Sequence, residues 1–325
     1  MPTSSRPRIL VATSVFPSVL ERLRQHFEVD AEHPHYPLSP ATFRQLLADK
    51  DGSLLSGSQA IHAEVLAQAP RLKIAANMSV GFNNFDLPAM RAAGVVGTNA
   101  PGVLTETTAD FGFALLLATA RRITEAEHYL RAGRWKEWRY DTLLGQDVHG
   151  TTLGIIGMGR IGQAIARRGV LGFGMKLIYH NRSRLDAATE AGLQAQYAPT
   201  KEDVLRHADH VVLVLPYTPA AHHLIGAEQI ALMKPTATLV NIARGGIVDD
   251  VALAEALRQR RIAAAGLDVF ENEPAIAAPL LELDNVVLTP HVASATASTR
   301  LAMANLAVDN LVAFFTEGKA LTPVT

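Results

Sequence analysis

The segment that most restricts the fold is Gly157-Met158-Gly159-Arg160-Ile161-Gly162, which follows the apolar run Thr151 to Ile156 and leads into the amphipathic stretch Gln163 to Arg168. This reads as a strand, a tight glycine turn and a helix. The first glycine lets the chain turn sharply, the second lets backbone approach a pyrophosphate, and the third lets helix pack on strand. The helix N-terminus then offers unpaired N–H groups and partial positive charge to the phosphates. The setting favours dinucleotide binding at Gly157, Gly159 and Gly162 over a structural turn or a methyltransferase-like loop.

The next strand, Lys176 to Tyr179, refines this reading, because it runs into His180-Asn181-Arg182-Ser183-Arg184. A NAD-binding unit places an acid about 20 residues beyond the glycines to hold the ribose 2′-hydroxyl. No acid stands there. Asn181, Arg182, Ser183 and Arg184 instead offer amide, guanidinium and hydroxyl donors suited to a 2′-phosphate, so NADP (NADPH) is the expected cofactor and NAD a possible one. The plainer reading is a solvated basic loop.

Short apolar strands alternate with helical patterns along the chain, which predicts an α/β protein with doubly wound parallel sheets. Strands are expected at Arg8 to Thr13, Leu54 to Ser56, Leu72 to Ala75 and Gly94 to Thr98, with helices at Pro17 to His26, Pro40 to Asp49 and Ile61 to Ala69. A long helical region, Thr105 to Ala132, follows; it is expected to cross between domains and could form part of a subunit interface. From Thr151, six strands are expected, the later ones at His210 to Leu215, Ala237 to Asn241, Ala263 to Val269 and Val286 to Thr289. A last helix, Ala297 to Phe315, should return to the first unit. The expected architecture is two Rossmann-like domains: a discontinuous substrate domain (1–100 and 294–325) and a dinucleotide-binding domain (101–293). Trp135 and Trp138 either anchor their connection to the core or mark a contact surface.

A chain of 325 residues, 48% of them hydrophobic, can bury cores of this size. With 30 basic and 31 acidic residues and no basic run, nothing predicts a nucleic-acid or anionic-membrane partner. Cysteine is absent, which excludes disulfides, thiolate nucleophiles and cysteine zinc sites. Met1 to Pro7 reads as a polar stub without the apolar region of a signal peptide, and Phe111 to Ala120 is too short to span a bilayer. A cytoplasmic protein is expected.

In an open parallel sheet, ligands bind beyond the carboxyl ends of the strands. Arg244, Glu273 and His291 each follow a predicted strand and so belong on that rim. Hydride addition to a 2-oxo acid puts negative charge on the carbonyl oxygen, so a proton donor must stand nearby, and an imidazole suits the task. A carboxylate would orient that imidazole and favour its charged form. A guanidinium can grip the substrate carboxylate and polarise the carbonyl. Taken singly, the three could be a turn acid, a surface arginine and a satisfied histidine; their joint placement favours catalysis. His222-His223, His207 with His210, and His33 with His35 lack an HExxH or acid-rich ligand set, so no metal is expected.

The glycine loop, Asn241-Ile242-Ala243-Arg244-Gly245-Gly246, Gly266-Leu267-Asp268-Val269-Phe270-Glu271-Asn272-Glu273-Pro274 and Pro290-His291-Val292-Ala293-Ser294-Ala295-Thr296 together resemble the successive signatures of the D-isomer-specific 2-hydroxyacid dehydrogenases, within them the glyoxylate/hydroxypyruvate reductase branch that overlaps with 2-ketogluconate reductases. The resemblance implies that Arg244 binds and polarises a small 2-oxo acid, Glu273 pairs with the histidine and His291 is the general acid/base. It also implies substrate contacts at Ser294 and at the N–H groups of Val80 and Gly81, although that glycine loop is equally readable as a plain turn. Thr107, Arg160, Ile161, Ile242, Ala243 and Asp268 are carried toward the cofactor, and Asp268 is equally readable as hydrogen-bonded structure. A homodimer, a substrate cleft between the domains and a D-configured product are further implications. Rival readings are a 2-ketogluconate reductase, a phosphoglycerate-type dehydrogenase, and, outside catalysis, a dinucleotide-sensing corepressor-like binding protein.

Overall fold

The computed structural model describes residues 6–325, so all but Arg6 and Pro7 of the expected N-terminal stub lies outside the described residues. The chain divides into two compact units. One runs up to Leu104 and resumes at Ala295–Thr325, and the other is Thr105–Ser294.

In the first unit the strands β1 (Arg8–Val11), β2 (Glu28–Asp30), β3 (Gly52–Leu55), β4 (Ile74–Asn77) and β5 (Val96–Thr98) pair in the order β2-β1-β3-β4-β5. All pairs are parallel. Side chains alternate across a strand, so each strand feeds two cores. Leu10, Leu55 and Ala75 face Phe43, Leu47 and Met90. Ile9, Val11, Leu54, Ile74 and Ala76 face the opposite way, against Leu23 and the Ala304, Ala307, Val308 and Leu311 side of helix Ala297–Glu317. Coverage of both faces explains why every residue of β3 and β4 is buried, with no alternation of exposed positions. The C-terminal helix therefore completes the first unit, as its sequence position suggests.

In the second unit β6 (Thr152–Ile156), β7 (Lys176–His180), β8 (Ala195–Tyr197), β9 (His210–Leu213), β10 (Thr238–Asn241), β11 (Ala264–Leu267) and β12 (Val286–Leu288) form one parallel sheet, ordered β12-β11-β10-β9-β6-β7-β8. The order reverses between β6 and β9, which opens a crevice at their carboxyl ends. Val211 and Leu213 pack on one side with Leu253 and Leu257, while Val212 and Val240 pack on the other with Phe113, Leu116 and Ile165.

Three expectations are corrected. The second sheet has seven strands, because Ala195–Tyr197 forms an additional edge. β2 is likewise an unexpected edge strand in the first unit. The long helical region expected over Thr105 to Ala132 is interrupted, forming two helices, Thr105–Ala120 and Ile123–Arg131, broken where Arg122 enters the left-handed region at φ 54° and its guanidinium clasps Glu125 and the Leu144 carbonyl. Trp135 and Trp138 are 54% and 75% exposed, so neither anchors its segment to a core. Among the described residues no helix is long and apolar enough to cross a membrane.

Candidate active site

The glycine loop sits between β6 and helix Arg160–Arg167. Gly157 has φ 104°, and a side chain there would place Cβ 2.5 Å from the Val214 carbonyl oxygen. A Cβ on Gly162 would stand 2.3 Å from the Gly157 carbonyl, so helix and turn touch backbone to backbone. Gly159 has open space where its side chain would be, and it begins the helix without a side-chain cap. The N–H groups that a cap would otherwise satisfy are left for an anion. These features fit a dinucleotide pyrophosphate. Exposed Arg160, half-buried Ile161 and half-buried Thr107 belong to the same unit, as do Ile242 and Ala243, which are buried in the turn after β10.

At the end of β7, Asn181 accepts from the Met158 N–H at 3.3 Å and donates to the Ser183 carbonyl at 2.9 Å, tying this loop to the glycine turn. Arg182 and Ser183 are exposed. Arg184, expected to face a 2′-phosphate, is instead held by Glu190 through two hydrogen bonds of 2.9 and 2.7 Å, with its guanidinium 5.5 Å from the Tyr197 ring centre. The anion it grips is supplied by the protein itself.

Asn241, at the end of β10, shapes the turn that carries Arg244: its Oδ1 accepts from the Ala243 N–H at 3.0 Å and its Nδ2 donates to the Arg244 carbonyl at 3.2 Å. An asparagine closing a strand before a glycine pair is a recognisable turn signal, and its role can be inferred from that pattern. Burial pulls the pKa of the Arg244 guanidinium below its usual value, while the charge of Glu273 opposes the shift. An arginine remains a cation under such conditions.

His291 and Glu273 are brought together directly. His291 Nδ1 lies 2.8 Å from Glu273 Oε2, and Glu273 Oε1 accepts from the Phe270 N–H at 2.9 Å. An ionised carboxylate only accepts, so Nδ1 carries the proton and Nε2 is the nitrogen left for another partner. Burial would raise the Glu273 carboxyl, but hydrogen bonds from His291 and Phe270, with the nearby charges of His291 and Arg244, outweigh it and hold the group below the usual carboxylate range. His291 sits at φ 54°, a backbone region that a non-glycine residue keeps only when its surroundings impose it.

Asp268 imposes it. Expected toward the cofactor, this residue is fully buried, and its carboxylate accepts from Thr289 Oγ1 at 2.8 Å and from the Val292 and Ala293 N–H groups at 2.9 Å each. Those contacts bracket His291, so Asp268 anchors the loop that presents the imidazole. Ser294, half-buried, follows directly.

In the first unit, the loop after β4 has its carbonyls tied back. Ser79 accepts from the Ala100 N–H, Val80 from Asn99 Nδ2, and Gly81 from Asn77 Nδ2 and Ser79 Oγ. The N–H groups of Val80 and Gly81 have no partner among the described residues. Two adjacent free donors on a loop held in this way are available to an anion.

Of the histidine pairs set aside as metal sites, only His222-His223 belongs to a group of three ligating residues within 4.8 Å among the described residues; the third is Glu271.

The comparisons agree with this geometry. A family signature described as "D-isomer specific 2-hydroxyacid dehydrogenase, NAD binding domain" matches residues 113–293. A glyoxylate reductase of Thermococcus onnurineus is 47% identical over 313 residues, covering 95% of this chain and 93% of its own. A glyoxylate/hydroxypyruvate reductase B of Shigella boydii is 43% identical over 311 residues, covering 94% of each. The crystal structure of an NADPH-dependent glyoxylate/hydroxypyruvate reductase from Sinorhizobium meliloti, solved with NADP and malonate, is 41% identical, with a TM-score of 0.86 over 99% of this chain and 97% of that one.

Proposed function

The chain belongs to the D-isomer specific 2-hydroxyacid dehydrogenases and is an oxidoreductase, and from that premise we propose that it reduces glyoxylate and hydroxypyruvate with NADPH, giving the D-configured product where the product is chiral. The observation that carries the reading is the His291–Glu273 pair, with Arg244 close enough for its charge to act on the carboxylate. A bound nicotinamide supplies the hydride. His291 delivers a proton from Nε2 to the carbonyl oxygen, and Glu273 steadies the imidazolium before transfer. Arg244 polarises the carbonyl and draws the substrate carboxylate toward it. The paired free N–H groups of Val80 and Gly81 support a role as carboxylate donors, and Ser294 is assigned beside His291 as a further substrate contact.

Preference for NADPH is supported by the absence of an acid at 181–184, directly after β7, and by the exposed guanidinium of Arg182 beside Ser183 and Asn181. Arg184 is left out of that assignment because Glu190 occupies it. A homodimer is supported by the exposed Ile123, Leu130, Trp135, Trp138, Tyr140 and Leu144, which are concentrated in one stretch of the second unit.

The test is a steady-state assay of the purified chain with glyoxylate, hydroxypyruvate and larger 2-oxo acids, each with NADPH and NADH. Turnover of the two small acids with NADPH is expected, at a kcat/KM about tenfold or more above that with NADH. Oxidation of neither cofactor by either acid would reject the assignment.

A further inference from the structure

Beside the Arg244 turn, three side chains converge that hydride transfer leaves unused. His222 and His223 follow β9, and Glu271 follows β11. Nε2 of His223 lies 2.9 Å from Glu271 Oε2, and Nε2 of His222 lies 3.9 Å from Oε1. One ligand atom from each residue falls within 4.8 Å of the others.

The second nitrogens of both imidazoles also face polar groups, one at hydrogen-bond distance and the other at ion-pair distance. His222 Nδ1 is 3.2 Å from the Tyr217 hydroxyl, and His223 Nδ1 is 3.8 Å from Asp249 Oδ2. Imidazoles that bind metals show this pattern, in which an outer hydroxyl, carbonyl or carboxylate holds one nitrogen so that the other points inward. The backbone is fixed as well. His223 donates its N–H to the Gly246 carbonyl at 2.7 Å, and the Glu271 N–H is held by Asp250 Oδ2 at 3.1 Å.

We propose that His222, His223 and Glu271 form a binding site for a divalent transition metal of the zinc class, with the remaining position open to water. Two imidazoles and one carboxylate suit zinc, cobalt or nickel, whereas calcium and magnesium prefer oxygen-only shells. Metal–nitrogen bonds of about 2.0–2.1 Å at tetrahedral angles put donors roughly 3.3 Å apart, between the two separations seen here. The rings are stacked, with centroids 4.0 Å apart and planes 20° from parallel. A metal lies in the plane of each imidazole it binds, so His222, the more exposed of the two, must rotate out of the stack. The site would cross-link the loops after β9 and β11, on either side of the turn that carries Arg244. It is independent of the reductase assignment.

The experiment uses the full chain without a histidine tag, stripped with a chelator and titrated calorimetrically with zinc chloride, then with cobalt(II) followed by visible absorption. One equivalent of zinc and a tetrahedral cobalt spectrum are expected. His222→Ala, His223→Ala and Glu271→Gln should each weaken zinc binding at least tenfold, and Tyr217→Phe about tenfold through its effect on His222. Circular dichroism of each variant checks its fold; His222→Ala and Glu271→Gln, which alter solvent-accessible side chains, keep the test valid should His223→Ala misfold. Absence of zinc binding, or binding unchanged in the His222→Ala/Glu271→Gln double variant, would overturn the proposal and leave the cluster as an ordinary ion pair beside a stacked ring.

Discussion

A proton given up by His291 leaves from Nε2, because the Glu273 carboxylate holds Nδ1. His291→Ala should therefore lower kcat by about 10²- to 10⁴-fold, the usual contribution of a positioned acid, with NADPH affinity measured by fluorescence titration nearly unchanged. Glu273→Gln should lower kcat less, since an amide oxygen still accepts from Nδ1 without favouring the imidazolium. Near-normal kcat in His291→Ala would remove that residue from the donor role. For the cofactor, Arg182→Ala should raise the KM for NADPH about tenfold or more, the equivalent of one charge-assisted hydrogen bond, and leave the KM for NADH unchanged. Equal effects on both would show that the guanidinium meets no 2′-phosphate. At this scale the sequence carries the Arg244, Glu273 and His291 positions well, because each follows an apolar strand whose end is easy to locate. It does not carry the capture of Arg184 by Glu190, six residues away across a loop, since that depends on how helix Ala187–Leu193 folds back toward Tyr179 and Tyr197.

Central strands are apolar because both faces are covered, and every one of them is evident from composition. The edges are not. Glu28–Asp30 and Ala195–Tyr197 are three residues long, and their solvent side accepts polar groups, so their pairing is set by the neighbouring strand rather than by their own pattern. The start of β9 carries a different kind of hidden information. His210 is 1% exposed; its Nε2 donates to the Asp147 carbonyl at 2.9 Å and its Nδ1 accepts from Thr238 Oγ1 at 2.8 Å. Neutral imidazole satisfies both bonds, and burial lowers its pKa from 6.5. The unfolded chain then takes up a proton more readily than the folded one, so the stability it contributes is complete above pH 6.5 and is lost as pH falls through the lower folded value. Urea unfolding at a series of pH values should show stability declining below pH 6.5, with a shallower decline in His210→Gln. An identical pH slope in the variant would place the sensitivity elsewhere.

At the scale of the whole molecule, most of the exposed large apolar side chains of the second unit fall in the stretch from Ile123 to Leu144. If this stretch is the contact between two copies, a Leu130→Asp/Trp138→Asp variant should move the species seen by light scattering from dimer to monomer. Each lost central anchor weakens association by about 2 kcal/mol or more. A wild-type monomer at micromolar concentration would refute the dimer outright. No pattern within the sequence separates such a surface from core-bound aromatics, because Trp135 and Trp138 look the same in either setting until their burial is known.

The first unit is assembled from both ends of the chain, and this bears on how the protein is made. During synthesis the second unit has all of its strands once Leu288 has emerged, whereas one side of the first sheet, with Ile9, Leu54 and Ile74, waits for Ala304, Ala307 and Leu311 to leave the ribosome. Until then the nascent protein displays a sticky, half-clad sheet, a state that invites chaperone attendance and penalises stalling before Leu311 is made.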